Sequence, residues 1–144
     1  MSKKSNVYQT NDLRNPSQEG DHHRLLVMTG ANKGTVFYIV GKRAVLGRDI
    51  HCDIVINDQK ISREHAEFVL LNGKCVVTDL NTQNGIIVND SREKQATLND
   101  GNKIVIGQTV IKYNFIKVSS TQLVPANSLA PNKALAKIGD QKKL

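Results

Sequence analysis

The sequence predicts an all-β fold, a sandwich of two antiparallel sheets, on three observations. Short runs rich in β-branched and apolar residues recur at roughly 8–12-residue spacing, the rhythm of a β-sandwich or barrel. Clusters of Gly, Asn and Asp separate the runs, as turns require. No window of the 144 residues carries the period of a long amphipathic helix.

Taken in order, Arg24–Met28 reads as the first strand, followed by a turn over Gly30, Asn32 and Gly34. Thr35–Val40 is β-branched and aromatic, Gly41 and Lys42 turn the chain, and Arg43–Leu46 continues it. Asp53–Ile56 alternates. Ala66–Leu71 and Lys74–Thr78 flank Asn72-Gly73, a strong signal for a two-residue hairpin turn. Ile86–Asn89, Lys103–Ile106 and Val110–Ile116 complete the set. Residues 1–22 and 119–144 are polar and almost aperiodic, and both read as flexible arms around a domain at 23–118. ALAKIGDQKKL in the second arm has the composition of a helical turn or two, too short to stand alone.

Composition narrows the function. Apolar residues make up 39% of the chain, enough for one compact core. Aromatic residues are 4% and Trp is absent, so a base-stacking nucleic-acid platform is poorly supplied. Of the net charge of +7, residues 1–22 carry none and residues 119–144 carry +3, and the remaining +4 on the domain suits an anionic ligand. Cys52 and Cys75 lack the close pairing of zinc ligands and read as reduced core residues. His22, His23 and His51 read as exposed residues without a site. Neither a metal nor a cofactor is expected. No run approaches the ~20 apolar residues of a membrane span, and MSKKSNVYQTND lacks the apolar core of a secretion signal, so a cytoplasmic location is expected. Neither the nucleotide-cradling GxxxxGK[ST] run nor HExxH nor GxSxG occurs, and no enzymatic activity is expected.

Four clusters lie in turns between strands: Gly47-Arg48; Ser62-Arg63-Glu64-His65; Asp79 to Gly85, leading into Val88-Asn89; and Leu98 to Gly101, followed by Ile104 to Gly107. Singly, each is explained by turn chemistry. Their residue types suit a phosphate, which carries nearly two negative charges and strong acceptor oxygens. Arg48 offers a planar fork for two oxygens, Ser62 a compact hydroxyl and Arg63 a second cation. Asn84 has an amide that both donates and accepts, as the main chain of an extended peptide requires.

The order and spacing of these clusters over residues 24–117 resemble the forkhead-associated (FHA) family, with CDIVINDQKISREHAEF closely similar to its central stretch. The resemblance implies an FHA-like β-sandwich that recognises phosphothreonine on a partner protein. It implies Arg48 and Ser62 as primary phosphate ligands, Arg63 as their assistant and Asn84 as the grip on the peptide backbone. Gln83 precedes Asn84 where some relatives place a phosphate-contacting threonine, so its amide is a further candidate ligand. Gly47 and Gly85 read as backbone devices, and His65 and Thr82 as loop braces. Ile86 and Asn102 depart from the usual pattern, and Ile86 is expected to influence peptide selectivity. The family commonly regulates larger signalling proteins, so the chain reads as the regulatory N-terminal part of a bacterial-type signalling protein acting after a Ser/Thr kinase, with neither nucleic acid nor membrane as partner. Two other readings are a degenerate scaffold that binds unphosphorylated protein and a basic nucleic-acid or membrane module.

Thr10 is the only threonine before the domain. Phosphorylated, it would make the N-terminal arm a ligand for its own domain, in cis or in trans. With about 13 residues between Thr10 and the first strand, an extended arm spans roughly 45 Å, against a domain radius of gyration of about 13 Å.

Overall fold

The computed structural model describes residues 5–119. The expected C-terminal arm, with its helical turn, lies outside the described residues from 120 onward. The chain divides into two units, Met1–Pro16 with Asp21–Ile116, and Ser17–Gly20 with Lys117–Leu144. The first holds every core and loop residue discussed below.

Twelve strands are present: β1 Val7–Thr10, β2 Gly20–Val27, β3 Val36–Ile39, β4 Arg43–Gly47, β5 Ile54–Val55, β6 Ala66–Leu71, β7 Lys74–Asp79, β8 Ile86–Val88, β9 Ser91–Glu93, β10 Gln95–Leu98, β11 Lys103–Ile106 and β12 Thr109–Val118. They form a seven-stranded sheet in the order β1-β3-β2-β12-β11-β8-β9 and a five-stranded sheet in the order β10-β7-β6-β4-β5. The all-β sandwich stands, with one difference in detail: the short β4–β5 pair is parallel.

Alternation explains the core. In β7, Cys75, Val77 and Asp79 are buried while Lys74, Val76 and Thr78 are not. Facing residues of the two sheets, among them Phe37, Leu25, Ile104, Ile106, Ile111 and Tyr113 against Leu46, Phe68 and Val77, close into one cluster, as alternate inward positions of a sandwich must. β3 breaks the alternation, with all four residues buried. It lies inside its sheet, and the outward Tyr38 ring has Tyr8 and His22 as ring neighbours, each 6.2 Å away between centroids. The Asn72-Gly73 corner has φ values of 54° and 77°, the left-handed pair a tight hairpin turn demands, and sets Leu71 opposite Lys74.

Three strands escape the sequence pattern. β1 lies inside the region read as a flexible arm, and β2 begins at Gly20, also within it. β1 inserts Val7 into the core but turns Tyr8 and Gln9 to solvent, so one apolar anchor is all the periodicity it shows. β9 and β10 are short, and only Leu98 among their residues is buried. Two side-chain expectations also change. His23 is buried, with Nδ1 2.7 Å from the Tyr113 hydroxyl, because its strand position faces the core. Ile86 is fully buried in the same core, so it is sequestered from a peptide on the surface and cannot act on selectivity by contact. Asn102 supports its own turn: its Oδ1 accepts from the Asn99 amide at 2.8 Å, and its amide donates to the Asn99 carbonyl at 3.0 Å.

Asp58 fastens the β5–β6 loop to the large sheet. Its Oδ2 accepts from the Thr109 hydroxyl at 2.7 Å and the Gln108 amide at 2.8 Å, and its Oδ1 accepts from the Lys60 amide at 2.8 Å. Burial pushes this carboxyl up, but the Thr109 hydroxyl and the Lys60 and Gln108 amides outweigh burial, so it lies below its ordinary value. Asp58→Ala should cost about 2–4 kcal/mol, from loss of hydrogen bonds to a buried charge, read by chemical denaturation. Because the folded chain holds the proton less tightly than the unfolded chain, this contribution is complete above pH about 4 and fades as pH falls through the lower folded-state value. Denaturation midpoints of the wild type and the variant should therefore converge in acid.

Candidate functional site

The loops after β4, β5 and β7 converge on the backbone of residues 60–63. Three successive carbonyls there each accept from a residue of the sequence-derived site. Lys60 O accepts from Asn84 Nδ2 at 2.9 Å, Ile61 O from Arg48 Nε at 2.9 Å, and Ser62 O from the Arg48 amide at 3.0 Å. Arg63 O follows, accepting from the Asp49 amide at 3.2 Å and the Cys52 thiol at 3.1 Å. Arg48, Ser62, Arg63 and Asn84 are thus gathered at one end of the sandwich.

Their free groups matter as much as their bonds. Arg48 spends Nε on Ile61 O, which sets the plane of the guanidinium and leaves both terminal nitrogens as a fork on an exposed side chain. The half-buried Ser62 uses its backbone in the network and leaves its hydroxyl available. Arg63 is more loosely held, its Nη2 3.3 Å from Asp49 Oδ2 on a side chain 78% exposed. Asn84 keeps Oδ1 and one amide hydrogen beyond its bond to Lys60. Gln83 is exposed, and its backbone carbonyl accepts from Arg92 Nη2 at 3.3 Å.

Gly47 is required by close approach. A Cβ there would lie 2.0 Å from the Arg63 carbonyl oxygen, closer than any side chain can come. Gly85 adopts φ +70°, and a Cβ would sit 2.9 Å from Arg92 Nη2. Both positions leave no room for a side chain without a neighbour shifting.

His65 is the brace beneath the loops and is fully buried. The Ser62 amide donates to its Nδ1 at 3.0 Å, so the ring proton sits on Nε2, which donates to Gly85 O at 2.8 Å. Thr82 Oγ1 lies 3.1 Å from the same Nε2, donates to Asp79 Oδ1 at 2.6 Å and accepts from the Gly85 amide at 3.0 Å. The buried Asp79 also accepts from the Thr82 amide at 3.1 Å.

Four participants had no assigned role in the sequence. Asp58 and Asp79 are turn carboxylates that accept from amides and hydroxyls, and Asp79 stood inside the third cluster. Arg92 reaches the Gln83 carbonyl from β9, too distant in sequence for any spacing rule. Asp49 is held down to about 2 by the His51 amide and ring, with help from Arg63, so it keeps a negative charge beside the cations. Cys52 is a loop residue with its thiol on Arg63 O, and burial, with Glu64 and Asp49 nearby, pushes that thiol up; only Cys75 is core. Among the described residues no group of three or more His, Cys, Asp or Glu could hold a metal, and no helix is long and apolar enough to cross a membrane.

His65→Ala should lower stability by about 2–4 kcal/mol, because it leaves the Ser62 amide and Gly85 carbonyl without their partner and opens a cavity. Anion binding at Arg48 should fall with it. Thermal melts and calorimetry on the same preparation check both effects, and normal stability with lost binding would make His65 a direct ligand.

Residues 26–115 match the family described as Yop-YscD, inner membrane component of T3SS, cytoplasmic domain. The chain is 36% identical over 84 residues to the glycogen accumulation regulator GarA of Mycolicibacterium smegmatis, covering 58% of this chain and 53% of that one. It spans about half the length of the curated relatives it matches. Among solved structures, the FHA domain of the CT664 protein from Chlamydia trachomatis is 34% identical with a TM-score of 0.60, covering 65% of this chain and 96% of that one. Mycobacterium tuberculosis EmbR, solved in complex with a low-affinity phosphopeptide, is 27% identical with a TM-score of 0.60, covering 69% of this chain and 25% of that one. From the two-sheet sandwich, the converging loops and this family match, the chain belongs to the FHA-type domains.

Proposed function

We propose that the loop end binds phosphothreonine on a partner segment and that the chain acts as a phosphorylation-dependent interaction module without catalysis. Arg48 and Ser62 take the phosphate, Arg63 and Gln83 assist, Asn84 holds the peptide backbone, and Gly47, His65, Thr82 and Gly85 keep the loops in place. The observation that carries this reading is the run of carbonyls at Lys60, Ile61 and Ser62, which pins Asn84 and Arg48 and leaves the Arg48 fork and the Ser62 hydroxyl free. Donors fixed before the ligand arrives reduce the ordering cost of binding. The similar EmbR domain was solved with a phosphopeptide and the similar GarA is a regulator. This chain, by the same reading, is a cytoplasmic regulatory part of a larger bacterial-type signalling protein, downstream of a Ser/Thr kinase.

A phosphothreonine peptide library titrated by calorimetry tests the site. Arg48→Ala should abolish measurable binding with the fold intact, and Ser62→Ala should weaken it about tenfold, the value of one hydrogen bond to a charged group. Unchanged affinity in the Arg48 variant would refute the assignment. A Thr→Glu peptide should fail, since a carboxylate has fewer oxygens and less charge. Affinity should also fall as pH drops through about 6, where the phosphate loses its second charge.

A tethered ligand extends the same reading. Thr10 is not in a loose arm: it ends β1, pairs with Val36 and accepts the Asp12 amide on its hydroxyl at 3.0 Å. To serve as self-ligand, β1 must leave the edge of β3. The nine residues between Thr10 and β2 then span at most ~30 Å, shorter than the reach inferred from sequence and favouring an arrangement in trans as much as in cis. Phosphorylation of Thr10 should displace a labelled phosphothreonine peptide. Undiminished peptide binding, with neither loop shifts by NMR nor a dimer, would reject the self-ligand.

A further inference from the structure

The outer face of the large sheet has an unusual charge pattern away from the loops. Side chains directly opposite on neighbouring strands share a face. Register places Lys103 opposite Lys112, Val105 opposite both Val110 and Ile87, and Ile87 opposite Arg92. Lys103, Val105, Val110, Lys112 and Ile87 point away from the core, since their chain neighbours Ile104, Ile106, Ile111, Tyr113, Ile86 and Val88 are buried, and Arg92 shares the face of its partner Ile87. The Met28 amide donates to Val110 O at 2.7 Å, which brings Met28 alongside. The result is a row of Met28, Val110, Val105 and Ile87, flanked by Lys103 and Lys112 and ended by Arg92.

Two features make this face unlike an ordinary solvated surface. Like charges directly opposite on neighbouring strands destabilise a sheet, and among the described residues neither Lys103 nor Lys112 is in a salt bridge. The outward positions of β8, β9, β11 and β12 in this region include no carboxylate: they are Ile87, Arg92, Lys103, Val105, Val110, Lys112, Asn114 and Ile116. Asp100 borders Lys112 from the loop before β11, with its Oδ1 held by Asn114 Nδ2 at 3.1 Å and the Phe115 amide at 3.0 Å. The apolar row itself is only partly covered, and Ile87 is 37% exposed.

We infer that this face docks an acidic, apolar-studded segment of a protein partner, separately from the phosphothreonine loops. Charge complementarity selects the occupant: carboxylates relieve the Lys103–Lys112 repulsion while apolar side chains cover Val110, Val105 and Ile87. The chain's own C-terminal arm, with Lys133, Lys137, Lys142 and Lys143, has the wrong sign. Position adds a second argument, which rests on the phosphothreonine reading. β8 starts directly after Asn84-Gly85, and Arg92 reaches the Gln83 carbonyl, so this face adjoins the loop that carries Asn84 and lies within reach of a partner held there. The row crosses four strands, roughly 15 Å at the usual strand spacing, which about 10–14 residues of helix cover.

The test is NMR titration of the full chain with an unphosphorylated Glu/Leu amphipathic peptide of about 14 residues, and with its Lys/Leu counterpart. The Glu/Leu peptide should shift the amides of Val105, Val110 and Ile87 and leave those of Arg48 and Ser62 in place, and the Lys/Leu peptide should shift neither set. Lys103→Glu/Lys112→Glu, and the milder Lys103→Gln/Lys112→Gln, should weaken Glu/Leu binding about tenfold or more, as loss of complementary charge does, while a short phosphothreonine peptide binds as before. No shift on this face, or unchanged binding in both variants, overturns the inference. Stronger occupancy by phosphatidylserine vesicles or single-stranded RNA, or a concentration-dependent dimer through this face, overturns it in favour of that occupant. Failure of the phosphothreonine peptide to bind the wild type would count against the loop site alone.

Discussion

The loop end of the sandwich depends on one buried imidazole. His65 receives the Ser62 amide on one nitrogen and donates from the other to Gly85 O, joining the loop that carries Ser62 to the loop that carries Asn84. Burial makes the arrangement all-or-none, because a ring that lost either partner would leave a polar group unsatisfied in the core. Thr82 and Asp79 extend the brace, and Asp58 anchors the same loop to the opposite sheet from its other side.

On that base the backbone does most of the positioning. The carbonyls at Lys60, Ile61 and Ser62 hold Asn84 and Arg48, and the Gly47 backbone packs so closely on Arg63 that a methyl group has no room. The Arg48 and Asn84 side chains are therefore held by main-chain groups. The local field is mixed: Asp49 stays ionised beside Arg63. Asp49 pairs with Arg63, whereas among the described residues no carboxylate pairs with Arg48, whose terminal nitrogens stay uncompensated.

Legibility in the sequence followed a physical divide. Strands with several inward apolar residues, such as β6, β7 and β11, were readable because alternation is a local property of the chain. β1, with Val7 as its single anchor, was not, and neither were β9 and β10, which are held by pairing with strands already formed. His23 looked like an exposed residue and Cys52 like a core residue, because either reading depends on which neighbours a strand or loop finds. The loop residues that gather at one end were readable as types and order, but the sequence offered no hint that Arg92 reaches the Gln83 carbonyl.

The sequence by itself determined the all-β sandwich, the turn at Asn72-Gly73, and the residue types available to meet an anion, because periodicity, turn chemistry and charge are written in neighbouring residues. Tertiary structure alone decided that Arg48, Ser62 and Asn84 share one end, that Ile86 is sequestered from the surface, that Thr10 is bound into a sheet edge, and that Lys103 faces Lys112. Each of those depends on register and loop closure between segments tens of residues apart. Such pairings are selected by the packing of the whole core and leave no local pattern to read.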